Sequence, residues 1–154
     1  MADIIYKTNK GNEDNILEHL EACDKNFVPP LSQRIDLKVY SEKLAQYATN
    51  FEAWSDHKTL VGLISVYMND YEKKTAYITS VSVCTKFTGR GIAKSLMAEC
   101  INKARQIGFL QIKLEVNEFN TPAIKLYSAF GFNVAEINKG IIKMNLKIQS
   151  NDKE

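Results

Sequence analysis

Residues 81–94 combine the features of an anion-binding site. A stretch rich in β-branched residues ends, Gly89 and Gly91 follow within a short loop, and a strongly periodic helix begins. Such a junction directs free backbone N–H groups and the positive end of a helix dipole at one point. The sequence therefore predicts a phosphate-binding loop, in which small residues at 89, 91 and 93 admit the ligand close to the backbone. The same pattern taken alone also fits a tight turn before a surface helix.

Two common phosphate-binding patterns do not match this loop. A Walker A loop aligned on Lys94 and Ser95 needs glycines where the chain has Thr88 and Ala93. The dinucleotide pattern G-x-G-x-x-G needs a third glycine at the position of Lys94. A nucleotide-phosphate binder is therefore disfavoured.

Two segments resemble motifs of the GNAT N-acetyltransferases. Residues 83–96 are similar to motif A, whose loop has the form [Q/R]-x-x-G-x-[G/A]; Gly91 and Ala93 match it, while Thr88 replaces the usual Gln or Arg. Residues 120–132 are similar to motif B, N-x-x-A-x-x-L-Y-x-x-x-G-F, at the expected distance downstream. The resemblance covers residues 58–147.

The resemblance implies a GNAT-like α/β fold, a mixed sheet with helices on its faces. It also implies a cleft in which acetyl-CoA lies between two strands, near 76–84 and 110–117, that splay apart. The implied cofactor-binding residues are Val81, Ser82, Val83, Thr88, Gly89, Arg90, Gly91, Ile92, Ala93, Lys94, Asn120, Ala123 and Tyr127.

Acetyl transfer to an amine needs an acid for the leaving thiolate and a base for the amine proton. Tyr127 occupies the family's usual position for the acid, and the alternative is a packed helix tyrosine. Glu115 stands in the Leu-Glu-Val context that holds the base in relatives acetylating protein N-termini, and the alternative is a surface glutamate. A water chain is a further alternative to Glu115, organised by the hydroxyls of Tyr77, Thr79, Ser80 and Ser82.

The cysteines and histidines suggest no further chemistry. Cys23, Cys84 and Cys100 form no C-x-x-C pair, so we expect no disulfide, no zinc site and no other metal. A cysteine-linked acetyl intermediate on Cys84 would need an activating base, and neither His19 nor His57 has a suggestive spacing. We therefore expect Cys84 to be a packed thiol and His57 to lie solvated in a turn.

Length and composition fit one domain over residues 1–148 with a flexible tail at 149–154. The chain has 154 residues, of which 45% are apolar, and a net charge of +2. That charge is too small to indicate nucleic acid. No apolar run approaches the roughly 20 residues that span a bilayer, and no signal peptide is visible. We expect a cytoplasmic monomer or homodimer, without a membrane or nucleic-acid partner.

Periodicity predicts the element order β-α-α-β-β-β-α-β-α-β-β. The unit 76–117 should be parallel. Leu110, Ile112, Leu114 and Val116 should share one face of the strand at 110–117. Asp36 should cap the second helix. Helices are predicted at 12–25, after Asp36, and at 90–107 and 121–130, and strands at 4–6, 50–54, 59–68, 76–84, 110–117, 132–137 and 140–148.

The connection at 27–36 is the candidate acceptor wall, since the resemblance implies that the first helices help to wall that site. Two prolines stiffen it, Phe27 and Leu31 offer apolar contact, and Arg34 offers a fork suited to phosphate or carboxylate. This mixture favours an amino-sugar nucleotide or another small molecule as the acceptor. A protein N-terminus, a polyamine and a non-catalytic acetyl-CoA-binding module remain alternatives, as does an ordinary helix–helix connection.

Overall fold

The computed structural model of the protein describes residues 3–149. Its elements follow the predicted order. They are β1 (Ile4–Thr8), α1 (Glu13–Cys23), α2 (Leu37–Tyr47), β2 (Thr49–Ser55), β3 (Thr59–Asp70), β4 (Thr75–Val83), α3 (Ile92–Gln106), β5 (Gln111–Asn117), α4 (Thr121–Ala129), β6 (Asn133–Asn138) and β7 (Ile141–Lys147). Of the predicted tail, only Gln149 lies within the described residues, and none of the described helices is long and apolar enough to cross a membrane.

The strands form one mixed sheet in the order β1-β2-β3-β4-β5-β7-β6. β4 and β5 are parallel, as predicted for residues 76–117, and the other neighbours are antiparallel. The last two strands do not extend the sheet in sequence order, because β7 pairs with β5 and β6 lies outside it. β6 is exposed along its whole length, as befits an edge strand.

Apolar clusters cover both faces of the sheet. Successive strand residues point to opposite faces, and in β3 Leu63 packs with the cluster beneath α1 and α2, whereas Ile64 packs with the cluster beneath α3. Gly62 is required at this contact, since a Cβ there would lie 2.7 Å from Cγ2 of Ile92. The first turn of α3 is therefore held close to the sheet.

The sheet opens into a gap between β4 and β5, next to a bulge in β4. Ser80 pairs with Ser65 and Ile78 with Val66, so Thr79 is an extra residue with no partner on β3. An extra residue bends its strand and strengthens its twist. The pairing of β4 with β5 ends at Ile78 and Leu114. The predicted splaying of these two strands is confirmed.

The helix starts differ in how their N–H groups are satisfied. Asn12, Asp36 and Asn120 cap α1, α2 and α4 with their side chains, which confirms the prediction for Asp36. α3 follows Gly91, whose φ is +76°, and receives no side-chain cap. The predicted start of this helix at residue 90 was wrong by two positions, because the left-handed Gly91 cannot belong to it.

The predicted strand at 110–117 begins one residue later than expected. Ile112, Leu114 and Val116 are buried, but Leu110 is 53% exposed. It lies before β5 begins, and its N–H donates to the carbonyl oxygen of Lys74 instead of joining the alternating strand pattern.

Candidate active site

The larger of two adjoining cavities has a volume of about 640 Å³ and lies beside the unpaired edge of β4. The end of β4, the loop before α3, the first turn of α3 and one side of α4 form its wall. Every predicted cofactor-binding residue except Arg90 lines it. Arg90 instead places its guanidinium 4.9 Å from the ring centre of Phe87. Asn26, Phe27, Phe87, Pro122, Lys125, Leu126 and Ala129 complete the lining.

The start of α3 makes one end of this cavity suited to an anion. No side chain caps the helix, so its first N–H groups keep their capacity to bond a ligand. A Cβ built on Gly91 would meet no atom within 4 Å, so the space above the backbone is open. Lys94 and Lys125 also line the cavity. The helix dipole and two ammonium groups together favour negative charge here.

The edge of β4 supplies the second polar feature of this cavity. Residues from Ser80 to Val83 remain paired with β3, but the described residues of β5 pair with β4 only as far as Ile78. Half of the backbone N–H and C=O groups along this stretch therefore point into the gap. A ligand with amide groups can bond them as an additional strand would.

The smaller cavity has a volume of about 350 Å³ and lies at the mouth of the gap. All three predicted acceptor residues line it, together with both predicted catalytic residues. Its lining consists of Phe27, Val28, Pro29, Leu31, Arg34, Ile78, Thr79, Ser80, Val81, Leu114, Glu115, Val116, Asn117, Asn120, Tyr127 and Ile141. Phe27, Val81, Asn120 and Tyr127 also line the larger cavity, so the two are continuous around these residues.

Tyr127 is the titratable side chain at the junction of the two cavities. It lies on α4, is only 6% exposed, and packs against Phe132 with ring centres 5.9 Å apart. Burial raises the pKa of its phenol above the ordinary value. The phenol therefore stays protonated at neutral pH, which is the state a proton donor requires.

Glu115 is the first residue of β5 beyond the last pair with β4. Its neighbours Leu114 and Val116 are buried, which turns the carboxylate to the polar face of the strand. Burial, followed by the nearby charge of Glu115, raises the pKa of Tyr77. The place where the strands separate is thus also the place where a carboxylate enters the smaller cavity.

The bulged segment supplies hydroxyl groups to the smaller cavity. The hydroxyl of Tyr40 donates to the carbonyl oxygen of Thr79 at 3.1 Å and lies 2.6 Å from Oγ1 of the same residue. Burial raises the pKa of Tyr40 to about 12. Oγ of Ser80 is buried and has no hydrogen-bond partner among the described residues. An unpaired buried hydroxyl in a cavity wall is a candidate contact for a ligand or a water.

Two parts of the site go beyond the residues predicted from the sequence. Thr79 and Ser80 were considered only as parts of a water chain, since nothing in the sequence reveals the bulge. Lys125 was missed, although it lies within motif B and two residues before Tyr127.

The structure corrects the interpretation of Cys84. Its Sγ lies 3.7 Å from Nδ1 of His19, a residue 65 positions away in the chain. The spacing in the sequence did not indicate His19 as a partner, because the two residues meet only once α1 packs against β4. Neither Cys84 nor His19 lines either cavity, so their contact gives no support to a cysteine-linked acetyl intermediate. His57 is exposed in the β2–β3 turn, as predicted.

The model of the Acetyltransferase (GNAT) family matches residues 14–132 of this chain. A [ribosomal protein bS18]-alanine N-acetyltransferase of Haemophilus ducreyi is 36% identical over 69 residues, which cover 45% of this chain and 48% of that protein. The chain thus spans about half the length of this curated relative.

Solved structures share the fold. A PaiA N-acetyltransferase of Thermoplasma acidophilum in complex with coenzyme A superposes with a TM-score of 0.75 at 18% identity, over 94% of this chain and 99% of that one. The ribosomal-protein-S18-alanine N-acetyltransferase of Escherichia coli gives a TM-score of 0.75 at 18% identity, over 100% of this chain and 97% of that one.

Proposed function

This chain belongs to the Acetyltransferase (GNAT) family, and we propose that it transfers the acetyl group of acetyl-CoA to a primary amine. The observation that carries the proposal is the junction of two cavities at Tyr127, beside the gap between β4 and β5. Both substrates bind at once, acetyl-CoA in the larger cavity and the amine in the smaller. The amine then attacks the thioester directly.

The larger cavity suits each part of acetyl-CoA. The pyrophosphate binds at the start of α3, where the N–H groups and Lys94 and Lys125 supply positive charge. The pantetheine carries amide groups and bonds the unpaired edge of β4. The thioester then lies at the junction, next to Tyr127.

The two titratable groups divide the proton transfers between them. Glu115 accepts a proton from the attacking amine, directly or through a water. The amine nitrogen forms a bond to the thioester carbon, and collapse of the tetrahedral intermediate breaks the carbon–sulfur bond. Tyr127 donates its phenolic proton to the departing thiolate. The raised pKa of Tyr127 supports this role, since the phenol is protonated when the thiolate leaves.

The charges of the smaller cavity favour the α-amine of a peptide as acceptor. Arg34 is the one Lys or Arg among its lining residues in the described chain, and Glu115 opposes it with negative charge. A diphosphate acceptor would find one cation there, whereas the larger cavity offers two lysines and a helix start. A peptide N-terminus needs only a carboxylate for its amine and polar groups for its first amides. The bS18-alanine N-acetyltransferase relative points the same way.

An acceptor panel tests this proposal by two readouts, release of free CoA thiol and the position of the acetyl group by tandem mass spectrometry. The panel contains an alanine-initiated peptide with an internal lysine, its N-formylated twin, a polyamine and an amino-sugar nucleotide. We expect acetylation of the α-amine of the free peptide and no reaction of its formylated twin. Turnover of the polyamine alone would contradict the peptide assignment while leaving the transferase intact.

An amino-sugar nucleotide is the second candidate, because Arg34 lines the smaller cavity together with the apolar side chains of Phe27 and Leu31. That combination suits a ring joined to an anionic group. Preferential turnover of the nucleotide sugar in the same panel would select it. Binding of acetyl-CoA without turnover of any amine would instead indicate a non-catalytic acetyl-CoA-binding module.

A further inference from the structure

A separate group of reactive side chains lies where the end of α1 meets the end of β4. It consists of His19, Cys23 and Cys84, whose ligand-type atoms all lie within 4.8 Å of one another. The two sulfur atoms are 3.4 Å apart, although the residues are 61 positions apart in the chain. None of the three lines either cavity. The group is therefore not part of the proposed transfer site.

The ring of His19 is held by hydrogen bonds on both nitrogens. Nδ1 lies 2.9 Å from the carbonyl oxygen of Leu60, which can only accept, so Nδ1 carries a proton. Nε2 lies 2.8 Å from Oγ of Ser82 and accepts from that hydroxyl in the neutral ring. Sγ of Cys23 is 3.8 Å from both nitrogens, so it lies along neither lone-pair direction. This arrangement leaves His19 poorly placed to bind a metal together with the cysteines.

The two thiols differ in accessibility and in acidity. Cys23 is fully buried, whereas Cys84 is partly exposed. A hydrogen bond from Cys23, followed by one from His19, lowers the pKa of Cys84 below its ordinary value. The bond to Cys84, followed by burial, raises the pKa of Cys23. The accessible sulfur is therefore the one that loses its proton more readily, and the buried sulfur is the one that keeps its proton and bonds it.

We propose that Cys23 and Cys84 form a peroxide-sensitive dithiol that closes reversibly into a disulfide. A reactive, accessible cysteine beside a second thiol is the usual arrangement of redox-sensitive cysteines. The sulfurs need to approach by only about 1.4 Å to reach the S–S bond length of about 2.05 Å. Oxidation in two steps, first at Cys84 and then at Cys23, accounts for all atoms and electrons with one molecule of hydrogen peroxide.

In the first step the Cys84 thiolate attacks one peroxide oxygen and the O–O bond breaks. Cys84 becomes a sulfenic acid, and the departing hydroxide takes a proton and leaves as water. This removes the negative charge that the Cys23 S–H was bonding. In the second step Sγ of Cys23 attacks Sγ of Cys84, an S–S bond forms and the S–O bond breaks. The proton of Cys23 leaves with that oxygen as a second water.

The disulfide would join two segments that lead to the transfer site. Asn26 lies three residues after Cys23, and Thr85 directly follows Cys84. The side-chain amide of Asn26 donates to Oγ1 of Thr85 at 3.1 Å. Phe27, which lines both cavities, comes directly after Asn26. The second segment continues into the loop before α3. Oxidation would thus covalently fix a contact between the acceptor wall and the phosphate-binding loop.

The test treats the reduced full-length protein with a small excess of hydrogen peroxide at pH 7, followed by peptide mapping. We expect a Cys23–Cys84 disulfide that dithiothreitol reverses. Cys100 is the internal control, since it is buried and burial raises its pKa to about 12. The thiol of Cys84 should be consumed at least ~10-fold faster than that of Cys100, because the thiolate is the reactive form.

Matched variants separate the pair from general oxidation. Cys100→Ser should form the disulfide as the unchanged protein does, whereas Cys23→Ser should accumulate the sulfenic acid, trapped by dimedone, at Cys84. Over-oxidation of Cys84 without a disulfide in the unchanged protein would overturn the proposal. Equal rates at Cys84 and Cys100, or one equivalent of zinc that co-purifies and blocks the reaction, would overturn it as well.

Discussion

The two cavities are built in different ways. The larger one uses mainly backbone positions, namely the uncapped start of α3, the open space above Gly91 and the unpaired edge of β4. The smaller one uses side chains from three separate segments, around Arg34, Thr79 and Glu115. A site built from the backbone depends on where helices and strands begin and end, and a short sequence motif specifies those positions. A side-chain site depends on how distant segments pack, so variants should affect the two cavities separately except at their junction.

Tyr127 lies at that junction, and its hydroxyl should give the largest effect. Tyr127→Phe keeps the ring against Phe132 but removes the proton donor. We expect kcat to fall ~10²-fold or more, with little change in the Kd for acetyl-CoA. Steady-state kinetics and calorimetry measure the two quantities. The ordinary pKa of a tyrosine phenol is about 10. Because burial raises the pKa of Tyr127 above that value, deprotonation of Tyr127 should not limit kcat at any pH below ~10.

Tyr71→Phe is the matched control for this variant. Tyr71 packs edge-on against Phe109 and lines neither cavity, so loss of its hydroxyl should leave kcat unchanged. Activity of Tyr127→Phe within about twofold of the control would show that the phenol is not the essential acid.

Glu115 belongs to the smaller cavity, and its loss should depend on pH. A peptide α-amine with its ordinary pKa near 8 is mostly protonated at lower pH and must lose a proton before attack. Glu115→Gln should therefore lower kcat/KM by about 10-fold at pH 6 and progressively less toward pH 9, where the amine is already neutral. The pH–rate profile with the peptide acceptor gives the comparison.

Glu118→Gln serves as the control, since Glu118 lies beside Gly140 and lines neither cavity. If the acidic limb of the pH–rate profile is the same for Glu115→Gln and Glu118→Gln, Glu115 is not the base. Removal of the amine proton would then be assigned to the water chain around Thr79 and Ser80.

Gly91 tests the backbone character of the larger cavity. Gly91 and Gly108 have φ values of +76° and +83°, and a Cβ on either would meet no protein atom within 4 Å. Alanine at either position therefore carries a similar backbone strain of about 1 kcal/mol. Only Gly91→Ala places a methyl group where acetyl-CoA binds. We expect a Kd for acetyl-CoA about 10-fold higher for Gly91→Ala and unchanged for Gly108→Ala, with similar melting temperatures.

A Kd for acetyl-CoA that both alanine variants raise equally would assign the loss to strain. A Kd that neither variant changes would remove the loop from the binding site.

The sequence allowed prediction of the larger cavity more fully than of the smaller one. Gly91 and the helix after it are local signals, and the elements follow from the period of apolar residues. The extra residue at Thr79 left no such signal, because a bulge depends on pairing with β3. The contact between His19 and Cys84 was equally hidden, since it exists only once α1 packs against β4. The order β5-β7-β6 likewise depends on pairings far apart in the chain.

Arg34 should give the smallest effect and the sharpest separation of the two cavities. Its side chain lines the smaller cavity and not the larger one, whereas Phe27 lines both. Arg34→Ala should raise the KM for an acceptor carrying a carboxylate or phosphate by roughly 3–10-fold, the range of an exposed charge-assisted contact. It should leave kcat and the KM for acetyl-CoA unchanged, while Phe27→Ala should raise the KM for both substrates.

The ionic-strength dependence of the acceptor KM provides a second readout. Because salt weakens the Arg34 contact, the acceptor KM values of Arg34→Ala and of the unchanged protein should converge as the salt concentration rises. An acceptor without an anionic group should bind Arg34→Ala and the unchanged protein equally. Equal losses for both substrates in Arg34→Ala would show that the variant disturbs the connection as a whole, and the acceptor wall would then have to be sought among the other lining residues.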